Sequence, residues 1–354
     1  MARSRLRLPF LSVAVAAGLS VLPAPASGQD QGQKPGGGQG AALGAARLCR
    51  EDIRSFCGDL LPGGGRIAAC LRGNADSLSE SCRDAISSLS RPLRRPAREA
   101  LPKDVNVTRD IAYGDDPAQT FDVYRPAEAR NAPVIVMLHG GAWAFGSKQA
   151  AGVIDNKVRH FLPKGYLFVS VETRLLPKAD PLQQADDLAH ALAQIEAKAA
   201  SWGGDAGKLV LIGHSAGAHL AALVSADPAY ARRAGARPWL ATIALDSAAY
   251  DIAPIMRGMV VPQFYRDAFG SDPDFWEKAS PTRQISGKAP KMLLVCSSFR
   301  RWSCRQAQTF AKKMRGQGEV LPVDLRHMQI NAQLGADNDY TQRVDGFLHS
   351  LGLP

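Results

Sequence analysis

The segment Leu209 to Val224, LVLIGHSAGAHLAALV, constrains this chain more than any other. An apolar run from Leu209 to Ile212 meets Gly213-His214-Ser215-Ala216-Gly217 and passes at once into an apolar, alanine-rich run. A strand that becomes a helix with no intervening loop must turn sharply, and a serine on that turn sits in a strained backbone conformation. Gly213 and Gly217 lack the Cβ atoms that would collide with neighbouring chain there. The turn lifts the Ser215 hydroxyl above the end of the sheet, and the helix N-terminus behind it favours negative charge developing nearby. Ser215 is therefore the candidate nucleophile.

A second strand signal lies upstream. The apolar run Val134 to Leu138 breaks off at His139-Gly140-Gly141. Such a run, bounded by a turn, suits a strand buried on both faces of a parallel sheet. Consecutive glycines at its end let backbone amides approach a ligand closely. The amides of Gly141 and Ala142, with that of Ala216 after the nucleophile, are the expected oxyanion donors.

From about Val105 to the C-terminus the chain resembles the α/β-hydrolases of the esterase/lipase type, near their feruloyl-esterase-like and kynurenine-formamidase-like branches. The resemblance rests on residues in family order. Tyr113 to Pro126 is the opening strand pair, and His139 to Trp143 with Gly146-Ser147-Lys148 is the oxyanion loop. Glu172-Thr173-Arg174, Ala185-Asp186-Asp187 and Trp202-Gly203-Gly204-Asp205 follow, and then the serine turn. The resemblance implies a mostly parallel, doubly wound sheet flanked by helices, and ester hydrolysis through a serine, a histidine and an acid.

In this fold the chain order is nucleophile, acid, histidine. Three histidines follow Ser215: His219, His327 and His349. His219 rides on the helix that carries the nucleophile and cannot swing back over it. His349 falls in the last turn of an expected helix, Tyr340 to Ser350, where a histidine more often caps the C-terminus. His327 follows an expected last strand, Glu319 to Arg326, and opens a polar loop, which makes it the candidate base.

The acid departs from the family pattern. These enzymes usually carry it just after the penultimate strand, here Lys291 to Cys296, yet no Asp or Glu occurs between Glu277 and Glu319. A triad histidine needs a carboxylate to hold its tautomer and to stabilise the imidazolium. Asp246, after the apolar run Leu240 to Leu245, is the first candidate because Leu245 to Ala248 resembles the Leu-Asp-x-Ala sequence of some lipases. Asp251 is the runner-up, and a Ser–His dyad or an acid from elsewhere in the chain is the remaining alternative. The chain carries no P-loop, dinucleotide fingerprint or H-E-x-x-H pattern, so neither a metal nor an organic cofactor is implied.

Residues 1–26 read as a signal peptide: Arg3, Arg5 and Arg7, then an apolar segment from Leu11 to Leu22, then Ala24-Pro25-Ala26. The apolar segment is too short to span a bilayer, and no cysteine near residue 27 suggests a lipid anchor. The expected location is periplasmic or secreted. Residues 27–46 read as a disordered spacer rich in Gly, Gln and Ala. Residues 47–90 hold Cys49, Cys57, Cys70 and Cys82 in a segment too small for a large core, and in an exported chain cysteines so placed staple it. Their spacing resembles a short cysteine-rich repeat first described in a Golgi sialoglycoprotein. Two or three short helices and two disulfides are expected. Nested pairing, Cys49 with Cys82 and Cys57 with Cys70, is preferred among the three connectivities four cysteines allow. A zinc site is the alternative, but the segment has no histidine.

Residues 91–103 form a basic, Pro-interrupted linker with Arg91, Arg94, Arg95, Arg98 and Lys103. The bland reading is a solvated hinge. The functional one is contact of this linker, or of the cysteine-rich module, with an anionic envelope surface. No aromatic residue interleaves the run, which argues against nucleic acid although the chain's formal charge is +10. Residues 104–354 are the expected hydrolase domain. Within it Cys296 and Cys304 flank the loop that lacks the acid and are expected to bridge. Met- and aromatic-rich segments at 256–265 and 269–276 sit where this fold inserts a cap; acyl-pocket lining and plain packing explain them equally. The expected substrate is a small-molecule ester, with an amide of the formamidase type or a non-catalytic binding role as alternatives.

Overall fold

The computed structural model describes residues 48–57, 67, 70, 71, 74, 77–90, 101, 102, 104–287 and 289–354. The expected leader and spacer, and linker residues 91–100 and 103, lie outside the described residues. Chain contacts divide the molecule between Arg95 and Pro96.

The first unit holds helices α1 (Arg50–Cys57) and α2 (Glu80–Ser90) and two disulfides, one tying the start of α1 to α2 and the other tying the end of α1 to the segment between them. Cys49 bonds Cys82 and Cys57 bonds Cys70, with Cα–Cα distances of 4.6 and 6.1 Å. The four cysteines pack with Leu71, Leu78 and Ala85 into a small core. Asp52 adds a polar tie, accepting from the Ser79 amide at 2.9 Å and the Ser79 hydroxyl at 2.7 Å. Those two bonds outweigh desolvation and hold its carboxyl below the usual range.

The second unit is built on one eight-stranded sheet. Its strands are β1 (Val105–Ala112), β2 (Thr120–Pro126), β3 (Ala132–Leu138), β4 (Leu167–Val171), β5 (Gly204–His214), β6 (Ala241–Leu245), β7 (Lys291–Ser297) and β8 (Gly318–Val323). They lie in the order β1-β2-β4-β3-β5-β6-β7-β8. β2 runs antiparallel to both neighbours, and every pairing from β4 to β8 is parallel. The sheet with its flanking helices is an α/β-hydrolase fold.

All seven residues of β3 are buried, as a central strand covered on both faces requires. Val134, Val136 and Leu138 face one core; Ile135 and Met137 face the other. Each such side chain stabilises the fold by roughly 2 kcal/mol. The second face is covered by α3 (Ala151–Phe161) and α12 (Asp339–His349). The first is covered by α4 (Pro181–Lys198), α5 (Ala216–Ala226) and α10 (Arg301–Lys313). α4 starts where Asp180 accepts from the Leu182 and Gln183 amides and Gln183 answers through its side chain. Every residue of α5 is buried. It lies between the sheet and α4, which is why it is apolar all round.

The short α6 (Ala229–Ala234) follows α5, and α7 (Ile252–Met256), α8 (Gln263–Phe269) and α9 (Pro273–Lys278) fill the β6–β7 connection. Here the Met- and aromatic-rich segments divide. Tyr265, Phe269 and Trp276 join the core, while Met259 and Val260 are exposed.

One local expectation is corrected. β8 ends at Val323 instead of running to Arg326, and His327 opens a helix, α11 (His327–Gln333), not a polar loop. The Arg326 amide donates to Gln329 Oε1 at 2.9 Å, which closes the first turn, and Ile330 enters the core fully buried. Met328, Ile330 and Ala332 alternate with polar residues, a period of two that did not announce that helix.

Candidate active site

The serine turn joins β5 to α5. Ser215 has φ 55° and ψ −113°, and its amide donates to the Leu245 carbonyl at 2.9 Å. A Cβ on Gly213 would lie 2.2 Å from the Gly217 carbonyl oxygen. One on Gly217 would lie 2.3 Å from the His139 oxygen and 2.6 Å from that of Leu138. The two glycines therefore let the end of β3 pass directly against the turn, and that contact brings His139-Gly140-Gly141 beside Ser215. The positive φ at Ser215 is strain held in place by the sheet on one side and α5 on the other.

Side chains from the ends of β5 and β6 and from the start of α11 meet there. The Ser215 hydroxyl lies 3.0 Å from His327 Nε2, and His327 Nδ1 lies 2.7 Å from Asp246 Oδ2. Asp246 is fully buried. Burial alone would raise its pKa. Hydrogen bonds from His327 and Ser303, the Arg300 charge and the Ser297 amide prevail and hold it at about 2. The carboxylate is thus ionised at neutral pH, as a partner for an imidazolium must be. Asp251 is elsewhere engaged: its carboxylate accepts from Arg283 Nε at 2.7 Å.

The position after β7, where the family's acid is usual, is taken by a loop that supports Asp246 instead. Ser297 N donates to Oδ1 at 3.0 Å, Ser303 Oγ to the same oxygen at 2.5 Å, and Arg300 to Oδ2 at 2.6 Å. The Cys296–Cys304 disulfide closes this loop, with a Cα–Cα distance of 5.1 Å. Sequence reasoning singled out the two cysteines but not Ser297, Arg300 or Ser303. The signal available was negative: a carboxylate-free loop of hydroxyls and arginines beside a buried acid.

The candidate oxyanion loop is held from behind. His139 Nε2 donates to Glu172 Oε1 at 2.5 Å, and Glu172 Oε2 accepts from the Lys148 amide at 3.0 Å. The Lys148 ammonium reaches the fully buried Asp122 at 2.5 Å. Gly141, Ala142 and Trp143 all have positive φ, 137°, 51° and 60°. Ala216 is the first residue of α5, where an amide has no partner inside its own helix. Trp143 walls the loop off: its ring lies 4.7 Å from Phe269 and 5.8 Å from Tyr265, centroid to centroid. The space between loop and α5, lined by Trp143, Gln184, Ala216 and Leu220, is about 10 Å3. That is room for one water at most.

Two other histidines are structural. His219 Nε2 donates to the Ala279 carbonyl at 2.7 Å and Nδ1 accepts from Trp143 Nε1 at 3.1 Å. Complete burial depresses its pKa to about 4. His214, the variable residue of the turn, donates from Nε2 to the His327 carbonyl at 3.1 Å. Burial, then the neighbouring His327, pushes it down to about 3. His214 thereby anchors the backbone that presents the candidate base, a role its position in the motif did not announce. His349, outside this group, ends α12. Among the described residues no cluster of three or more His, Cys, Asp or Glu could hold a metal ion.

The sheet and the serine turn together define an α/β-hydrolase fold. The BD-FAE family profile matches residues 121–232, which run from β2 into α6. The chain is 26% identical over 315 residues to the esterase LipC of Mycobacterium tuberculosis, covering 80% of this chain and 76% of that protein. It is 31% identical over 150 residues to the kynurenine formamidase of Danio rerio, covering 42% of this chain and 43% of the relative. The chain thus spans less than half of that formamidase. Among solved structures it is similar to esterase B of Lactobacillus rhamnosis, with TM-score 0.59 and 20% identity, covering 80% of this chain and 95% of that one.

Proposed function

We propose that the protein is an exported serine hydrolase that cleaves carboxylic esters of small molecules through Ser215, His327 and Asp246. The observation that carries the reading is the continuous line Asp246–His327–Ser215, with spacings of 2.7 and 3.0 Å. The chain's esterase class has independent support in its similarity to LipC and to esterase folds. Export is inferred from the leader pattern of residues 1–26 and from three disulfides, which persist in oxidising compartments. Among the described residues no helix is long and apolar enough to cross a membrane.

His327 Nε2 takes the Ser215 proton as Oγ attacks the ester carbonyl, while Asp246 accepts from Nδ1 and stabilises the imidazolium. The amides of Gly141, Ala142 and Ala216 are assigned to the oxyanion. The imidazolium then protonates the departing alcohol. Water, deprotonated by the same nitrogen, hydrolyses the acyl-enzyme.

The test is hydrolysis of a p-nitrophenyl ester series, with an N-formyl anilide alongside because of the formamidase likeness. Wild type is expected to turn over esters. Ser215→Ala should lower kcat by about 10^4 or more, and Asp246→Asn by about 10^2 to 10^4, with each variant folded by circular dichroism. Loss with Ser215→Ala but retention with Asp246→Asn would remove the acid assignment alone. Turnover confined to the formyl amide would replace the esterase reading with an amidase one.

A further inference from the structure

Arg300 occupies an unusual place. Its guanidinium Nη1 lies 2.6 Å from Asp246 Oδ2 and 2.7 Å from His327 Nδ1, so it touches both the acid and the nitrogen that the acid holds. The same Nη1 is 3.2 Å from the Asp246 carbonyl oxygen. Its position follows from the chain: Arg300 precedes α10 in the loop closed by Cys296–Cys304, and residues on either side of it, Ser297 and Ser303, also bond Asp246. Nδ1 carries one hydrogen at most when it donates to Asp246. It then has no lone pair for Arg300, and the guanidinium, paired with Asp246, stands beside the ring as a positive charge competing for the same carboxylate.

We propose that Arg300 is a positioning residue that sets the lower pH limit of the reaction by disfavouring the imidazolium form of His327. The inference rests on the reading of Ser215, His327 and Asp246 as a triad. Two effects act in the same direction. The guanidinium repels a positive imidazole directly, and it draws off part of the Asp246 charge that would otherwise stabilise that imidazole. An enzyme whose base sheds its proton more readily stays competent in more acidic surroundings.

The other groups facing His327 do not reproduce this effect. From β5, His214 is neutral and donates to the His327 backbone, not its ring. From α3, Lys157, whose pKa burial brings down to about 7, bonds the Gly152 and Asn331 carbonyls and Asn331 Oδ1 at 2.6 to 3.0 Å and not the His327 ring. The Tyr250 and Tyr340 hydroxyls, which lie in the field of Asp246, are buried with their pKa values raised, and so stay neutral. Arg326, next in sequence, is exposed to solvent. Arg300 is the cation in contact with the ring.

The experiment is an imidazole titration by NMR on the full chain with isotope-labelled histidine, His327 being assigned by its loss in His327→Gln. The kcat/KM profile against pH for a p-nitrophenyl ester is recorded in parallel. Arg300→Gln is expected to raise the His327 midpoint and to move the acid limb of activity up with it. Arg300→Lys, which keeps the charge, should stay close to wild type. A midpoint that stays put or falls in Arg300→Gln overturns the proposal, even if the rate drops, because a purely structural role lowers the plateau without moving the limb. If wild type hydrolyses no ester, the esterase reading fails while the titration still decides the role of Arg300.

Discussion

Gly217 shows how little freedom a single position has at this site. Its missing Cβ leaves room for two carbonyl oxygens at the end of β3, and both belong to backbone that cannot retreat without disturbing the sheet. Gly217→Ala is expected to lower stability by about 3 kcal/mol or more and to abolish ester turnover, measured by urea unfolding and initial rates. Wild-type stability in that variant would mean that the β3 end moves freely. Gly217 was legible in the sequence because a glycine repeated at this spacing around a serine has few other uses. Arg300 was not, since an arginine carries no local signal of what it will meet across two strand ends.

Among the elements, the serine strand and its helix were readable from their apolar runs, and the buried β3 from a run broken by two glycines. α11 was not, because it is short and only Ile330 and Asn331 of its residues are buried. The cap helices α7 to α9 fall between these cases. Their apolar residues were evident, but only packing decides which of them press on Trp143. That packing closes the space behind the oxyanion loop, so an acyl chain cannot run between the loop and α5. Trp143→Ala should raise the rate on long-chain relative to acetyl p-nitrophenyl esters. It should also destabilise the protein by roughly 3 to 5 kcal/mol. An unchanged chain-length preference would place the acyl group elsewhere.

At the scale of the whole molecule, the buried histidines tie stability to pH. His214 and His219 have folded-state values of about 3 and about 4, below the ordinary 6.5. The unfolded chain therefore binds protons that the folded one refuses, and their contribution to stability is complete above pH 6.5. It is lost progressively as pH falls from 6.5 towards those values. Each contributes up to a few kcal/mol, a large share of the roughly 5 to 15 kcal/mol typical of a domain. Urea unfolding at pH 5 should show a clearly lower stability than at pH 7.5. Equal stabilities would mean that both rings take up protons within the fold.

The register of β6 against β7 has a consequence for enzyme design. Leu245 pairs with Val295, so Asp246, the residue after β6, leaves the sheet beside the end of β7 just before Ser297, on a strand about 5 Å away. A carboxylate leaving either strand can reach the same imidazole. What a hydrolase of this architecture requires is a location in space with two possible addresses in the chain. A catalytic acid could therefore be transplanted from one address to the other, provided the vacated loop is refilled with donors, as Ser297, Arg300 and Ser303 fill it here.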